Sequence, residues 1–369
     1  MTASPTQIIR GEIQAMSAYT VQPSAGMVKL DAMENPYTLP EFLRQEIAAL
    51  VASSEINRYP DPAAPKLKER LRQTMAIPAE ADILLGNGSD EILQIIIQAC
   101  ARPGAVIMAP SPTFVMYRQY ALIAGLNFVG VPLTADFAID LDRFLAAMRQ
   151  HKPAVIFMSY PNNPTGNLFS EDAINQILSD APGLVIIDEA YQSFAGATYM
   201  SRLNQFPNMV VLRTVSKLGL AGLRLGYAAG LPGWISEFDK VRSPYNVSVL
   251  TQLVAERVLA NNIVIEQQAA AICVEREKLA VALESMCRVT PFPSAANFVL
   301  ARVPDASGVF EALRQRGILI KNLHGSHPLL DNCLRFTIGT PAENALLISA
   351  LHATIEASTH GVEAADRVR

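Results

Sequence analysis

Three short segments carry side chains whose chemistry belongs together. SYPNNPTG, Ser159–Gly166, packs Asn163 with a second Asn, two Pro and a Gly into a tight loop, a composition that on its own describes only a turn. VIIDEAYQSF delivers Asp188 directly after an apolar run, with the Tyr191 phenol three residues on. Taken singly, that acid could do no more than cap the following turn. RTVSKLGLAGLRLGY places Lys217 just past Thr214 and Ser216, with Arg224 seven positions further along. A lone loop lysine is usually a solvated charge. Together the three segments offer an amide, an acid, a phenol, an amine and a guanidinium. The amine can form a Schiff base, and the acid can pair with a ring nitrogen. Amide and phenol can donate to a phenolate oxygen, while cation and hydroxyls hold a phosphate. Those are the needs of pyridoxal phosphate.

The elements that must present these groups follow from apolar periodicity. Between about residues 80 and 230, short Val-, Ile- and Leu-rich runs alternate with segments of helical period, the pattern of a parallel sheet covered on both faces. Strands are predicted over Ala105–Ala109, Asn127–Val131, Ala154–Met158, Leu184–Asp188, Met209–Arg213 and Gly226–Ala229. In such sheets ligands gather beyond the carboxyl ends of strands, where Asn163, Asp188 and Lys217 all fall. A chain of 369 residues is longer than one core usually supports. The expected fold is therefore α/β, with residues 46–250 forming a large cofactor-binding domain whose mostly parallel sheet lies between helices. Residues 1–45 and 251–369 supply an N-terminal arm, a linking helix over Thr251–Met286, and a smaller α/β domain with strands at Asn297–Ala301 and Leu334–Ile338.

Composition narrows the class of function. Half of the residues are hydrophobic and 17% charged, which suits a compact globular protein and not a disordered chain. Thirty basic against 34 acidic residues, with no basic block, argue against a nucleic-acid partner. Apolar runs fall far short of the roughly 20 residues of a membrane helix, and the N-terminus lacks a secretory pattern, so a cytoplasmic location is expected. The four cysteines show no CxxC pair. His324 and His327 stand three apart beside Gly and Pro without a third ligand, which favours a structural loop over a metal site.

In letters, order and spacing the three segments resemble the class I and II aminotransferases of fold type I; 25 residues separate Asn163 from Asp188 and 29 separate Asp188 from Lys217. The resemblance covers nearly the whole chain. LDAMENPY, NRYPDP, GNGSDEIL and GILIKNLHGSHPLLDNCLRFTIGT are similar to stretches of the histidinol-phosphate branch of that family, with Met33 standing where Asn is common.

The resemblance implies that Lys217 carries the cofactor and moves the proton, that Asp188 meets the ring nitrogen, and that Asn163 and Tyr191 donate to the phenolate oxygen. Phe114, in PSPTFVMY, matches the aromatic that stacks on the ring. Gly88, Ser89 and Asp90, in a glycine turn leading into a helix, match the phosphate site, with Thr214, Ser216 and Arg224. Tyr59 matches a tyrosine that reaches the phosphate from the neighbouring subunit of a homodimer with a shared active site. Arg335 would anchor the carboxylate of glutamate and 2-oxoglutarate and contact the phosphate of histidinol phosphate in the other half reaction. Apart from the resemblance, Lys321 and Tyr19 are candidates for recognising that phosphate, and Asn35 is a further substrate-binding candidate. The implied reaction is transamination of histidinol phosphate, with no metal. An aromatic amino acid aminotransferase, a threonine-phosphate decarboxylase or a non-catalytic cofactor-binding protein would use the same scaffold, since fold does not fix function.

Overall fold

In the computed structural model, residues 4–18 and 20–366 are described, with side chains through residue 356. Among them twelve strands are β1 (Val28–Leu30), β2 (Asp82–Asn87), β3 (Val106–Ser111), β4 (Asn127–Pro132), β5 (Val155–Ser159), β6 (Leu184–Asp188), β7 (Met209–Thr214), β8 (Leu225–Gly230), β9 (Thr290–Pro291), β10 (Phe298–Arg302), β11 (Ile318–Asn322) and β12 (Cys333–Thr337). Seven of these make one sheet in the order β2-β8-β7-β6-β5-β3-β4, and five make another in the order β1-β11-β12-β10-β9.

Every residue of β5, β6 and β7 is buried, so their apolar runs are covered on both faces. Alternate residues face opposite layers. Phe157, Ile186 and Leu212 pack with Ile92, Ile95 and Ile96 of the helix Ser89–Ala99. Met158, Ile187 and Val211 pack with Phe144 and Met148 of the helix Leu141–His151 and with Ile174 and Ile177 of Glu171–Asp180. Each of these large apolar side chains contributes on the order of 1.5–3 kcal/mol by leaving water. Such tight packing gives β6 and β7 rigid ends on which to mount polar groups.

Neighbours from β7 through β4 are parallel, and β8 runs against both β7 and β2. That reversal brings the start of β8, not its end, to the rim where the parallel strands finish. Thr214 of β7 lies opposite Gly226, and Asn87 at the end of β2 lies opposite Leu225. Arg224 thus reaches the turn after β2, beside Gly88 and Asp90, although it precedes its own strand.

The predicted linking helix is two helices, Val249–Ala260 and Asn262–Glu284. Asn261 separates them at φ −110°, ψ 40°, closing one helix and opening the next, a position for which Asn is well suited. Its side-chain nitrogen donates to the Arg257 carbonyl at 3.1 Å. The second helix lays Ile272, Leu279 and Leu283 against Phe298, Val299, Leu334 and Phe336 of the five-stranded sheet. No helix among the described residues is long and apolar enough to cross a membrane.

Candidate active site

Asp188 ends β6 with 3% of its surface exposed. Tyr117 donates its hydroxyl to one carboxylate oxygen at 2.6 Å, and the Ala190 amide donates to the other at 3.2 Å. Burial still pushes its pKa up to about 6, because taking an ionised carboxyl out of water outweighs those two donors. Lys217 lies one strand over, in the short turn Ser216–Leu218 after β7. Its amine sits 5.8 Å from the Tyr191 ring centre and donates to the Ala32 carbonyl at 3.2 Å. Burial, and then the Arg335 cation, bring its pKa down to about 8. A nucleophilic, proton-accepting amine needs such a value.

Asn163 and Tyr191 form the next part of the rim. Asn163 donates from its amide nitrogen to the Tyr191 hydroxyl at 3.0 Å, and its oxygen accepts from Arg335 at 2.6 Å. Burial raises the Tyr191 phenol far enough that it stays protonated at ordinary pH, leaving it a donor. Phe114 is half-buried and meets Tyr117 edge-on, with ring centres 5.5 Å apart.

The anion cradle combines three elements. Gly88, at φ +81°, turns the chain from β2 into the helix Ser89–Ala99, whose N-cap makes no side-chain hydrogen bond. Its first amides are left for a ligand, and the helix dipole favours negative charge there. A Cβ on Gly88 would stand 2.6 Å from the Arg224 guanidinium, and one on Gly226 would stand 2.4 Å from the Ser89 nitrogen. Only glycines allow this approach. Ser216 and Thr214 share a hydroxyl contact of 2.9 Å at the same rim, and Arg224 makes a half-exposed 3.4 Å ion pair with Asp90. This set of donors, beside an amine and an acid, fits pyridoxal phosphate.

Arg335, on β12, is 6% exposed and lies over the Phe298 ring, 5.2 Å from its centre. Lys321 on β11 is its direct cross-strand partner. Asn35 holds the strand-to-helix segment around it, donating to Gln268 and accepting from the Tyr37 amide, each at 2.9 Å. Tyr59 is 80% exposed and stacks on Tyr245 at 4.4 Å, away from the chain's own core. Tyr19 lies outside the described residues. His324 and His327 each accept a backbone amide, from Asn332 and Leu329 respectively, at 3.1 Å, and so cap their own loop.

The structure adds groups that sequence reasoning passed over. Residues Asp31, Ala32 and Met33 form a strap: the first gives its carbonyl to Arg335 at 2.9 Å, the second to Lys217, and the third sets its sulfur 3.7 Å from the Tyr191 hydroxyl. Met33 adopts a left-handed φ of +53°, held by the Thr337 hydroxyl at its amide and Asn297 at its carbonyl. Beneath the rim, Glu189 and Arg213 form a buried ion pair at 2.8 Å, joined by Thr198. Each sits next in sequence to a rim residue, Asp188 or Thr214, so strand alternation turns it to the opposite face. LDAMENPY gave no sign of a strap because its contacts are mostly backbone. Tyr117, three residues after Phe114, reads as helix core.

A family model for aminotransferase class I and II matches residues 25–351. The chain is 53% identical over 355 residues to histidinol-phosphate aminotransferase 1 of Ralstonia nicotianae, covering 95% of each chain. It is likewise 53% identical over 351 residues to histidinol-phosphate aminotransferase of Chromobacterium violaceum, covering 95% of this chain and 99% of that one. Among solved structures, it is similar to histidinol-phosphate aminotransferase from Sinorhizobium meliloti in complex with pyridoxal-5'-phosphate, with a TM-score of 0.85, 25% identity, and coverage of 95% and 98%.

Proposed function

We infer that this chain, which belongs to the class I and II aminotransferases, transfers the amino group of histidinol phosphate to 2-oxoglutarate, yielding imidazole acetol phosphate and glutamate. It is a pyridoxal-phosphate-dependent transaminase of histidine biosynthesis. The observation that carries the substrate is the 53% identity, across 95% of both chains, to a relative named for histidinol phosphate.

When bound, pyridoxal phosphate supplies a ring that accepts electrons from the substrate carbon. Lys217 Nζ holds the cofactor at rest and, once freed, takes the proton from the amine-bearing carbon. With a pKa near 8, it is basic enough to accept that proton and acidic enough to return it. Asp188 keeps the ring nitrogen protonated, and Asn163 and Tyr191 donate to the phenolate oxygen. Phe114 covers a ring face and excludes water. Gly88, Ser89, Asp90, Thr214, Ser216 and Arg224 bind the cofactor phosphate. Arg335 receives the carboxylate of glutamate, its planar fork suiting two oxygens. Lys321, directly across the strands from Arg335, adds a second cation for the phosphate of histidinol phosphate, and Asn35 and Tyr19 are further candidates for contacting that substrate. The exposed Tyr59 serves the phosphate site of a second copy, so the working form is a homodimer with shared sites in the cytoplasm. Residues 46–250 act as the cofactor-holding unit, and residues 1–45 and 251–369 as the arm, linking helices and small domain.

Single-turnover absorbance of the yellow holoenzyme tests this reading, with histidinol phosphate, phenylalanine and glutamate added separately. Histidinol phosphate should discharge the visible band far faster than phenylalanine. A faster reaction with phenylalanine would move the substrate to aromatic amino acids, and silence with all three would remove the transaminase assignment.

A further inference from the structure

Tyr117 takes no part in the chemistry described so far, yet it is fully buried and its hydroxyl makes the shortest side-chain contact to Asp188, at 2.6 Å. Its ring is clamped. Phe157, on β5, stacks beneath it with centres 4.7 Å apart and planes 11° from parallel, and Phe114 meets it edge-on. Asp188 needs what Tyr117 offers. Burial opposes its charge, and its charged neighbours Asp90 and Glu189 are acids that push the same way. The Tyr117 hydroxyl and the Ala190 amide are the donors that work against that pressure. Tyr117 is itself raised well above an ordinary phenol by burial and by Asp188, so it remains a donor throughout the working range. Tyr191 and Ser159 also flank this phenol, and neither supplies a cation.

We propose that Tyr117 is a positioning residue that keeps Asp188 ionised and aimed at the ring nitrogen of the cofactor. The proposal rests on the pyridoxal phosphate reading of the site. With one donor on each oxygen, the carboxylate cannot rotate without losing a hydrogen bond. Because the same ring touches Phe114, Tyr117 also ties the acid that meets the ring edge to the aromatic that covers the ring face. A single rigid side chain thus sets two of the cofactor's contacts at once.

The test is a double-mutant cycle between Tyr117→Phe and Asp188→Asn, read as cofactor affinity of the apoenzyme and as the rate of the histidinol phosphate half-reaction. Tyr117→Phe keeps the stacked ring and removes only the hydroxyl. It should weaken pyridoxal phosphate binding by about tenfold or more, as expected for one charge-assisted hydrogen bond, and slow the half-reaction while the KM for histidinol phosphate changes little. In the Asp188→Asn background, the same substitution should change either quantity by less than about twofold, because no charge remains to be held. Equal losses in both backgrounds would show a packing role and overturn the proposal, as would an unchanged affinity in the single variant. Wild-type apoenzyme that takes up no pyridoxal phosphate would instead overturn the cofactor reading, and this proposal with it. Thermal unfolding of the apoenzyme variants accompanies the titration. A Tyr117→Phe protein that unfolds well below wild type, in both backgrounds alike, counts against the proposal too.

Discussion

Removing the Glu189 carboxylate should cost far more than its distance from solvent-exposed chemistry suggests. Its side chain is wholly buried, and its oxygens accept from Arg213 Nε at 2.9 Å, from Arg213 Nη2 at 2.8 Å, from the Thr198 hydroxyl at 2.9 Å and from the Tyr199 amide. In Glu189→Ala the Arg213 guanidinium, whose side chain is 7% exposed, keeps only neutral acceptors: Thr198, the Met75 carbonyl at 3.2 Å and the Tyr227 hydroxyl at 3.5 Å. Stranding a buried charge in this way costs about 3–5 kcal/mol. Replacing both partners by apolar side chains, Glu189→Leu with Arg213→Met, removes the stranded charge and leaves the Thr198 and Tyr199 donors unpaired. That pair of changes should cost about 1–3 kcal/mol, less than the single substitution. Urea unfolding of the cofactor-free protein, compared at equal slope, measures both. The reasoning fails if Glu189→Ala costs under about 1 kcal/mol, or if the double variant loses as much as the single one.

Lys217→Ala should leave the circular dichroism spectrum unchanged and abolish turnover, and substantial activity in the purified variant would refute its role. Gly88→Ala forces a Cβ to within 2.6 Å of the Arg224 guanidinium at a φ of +81°, so cofactor affinity should fall by at least about tenfold in an equilibrium titration, with Arg224 displaced. For the apoenzyme, the pKa of Asp188 is raised to about 6, so the folded state binds its proton more readily than the unfolded chain does. Its contribution is favourable at acid pH and is lost as pH rises towards about 6; Asp188→Asn should therefore gain stability relative to wild type across that window, read as the difference between their thermal midpoints from pH 4 to 7. Lys217 acts in the opposite sense. Its lowered value penalises the folded state below about 8, so the stabilising effect of Lys217→Met in the same assay should shrink as pH climbs past that point.

What could be read from the sequence was what is local. β6 is legible because five apolar-to-acid residues in a row, Leu184–Asp188, are buried on both faces, and a strand of that kind must end in its only polar residue. Direction is another matter. Nothing within LGYAAG says that β8 runs against its neighbours, and yet that reversal is what delivers Arg224 to the cradle. β2 is hidden in the sequence because its end, Gly86-Asn87, reads as a turn. β1 and β11 are not legible because each is short and depends on a partner far away in the chain, Val28 opposite Ile318. The joint at Asn261 interrupts good helix formers with a residue that a helix tolerates, so only the observed cap distinguishes it. Glu189 and Arg213 looked like parts of the motifs that contain them. Their pairing requires knowing that β6 and β7 are adjacent.

The strap at Asp31–Met33 joins residues that leave the ribosome early to Arg335 and Thr337, which leave it much later; the contacts Arg335–Asp31 and Met33–Thr337 each span 304 positions. A ribosome that has just released Asp188 and Lys217 from its tunnel has therefore produced these side chains without the segments that close over them. β1 has no partner strand until β11 emerges. Such a long loop is closed late and slowly. A nascent or truncated polypeptide ending before Arg335 leaves the Ala32 and Asp31 carbonyls without the sheet that aims them. The carbonyls that meet Lys217 and Arg335 thus come into place only once the five-stranded sheet has been made, long after the seven-stranded sheet that carries Asp188 and leads to Lys217.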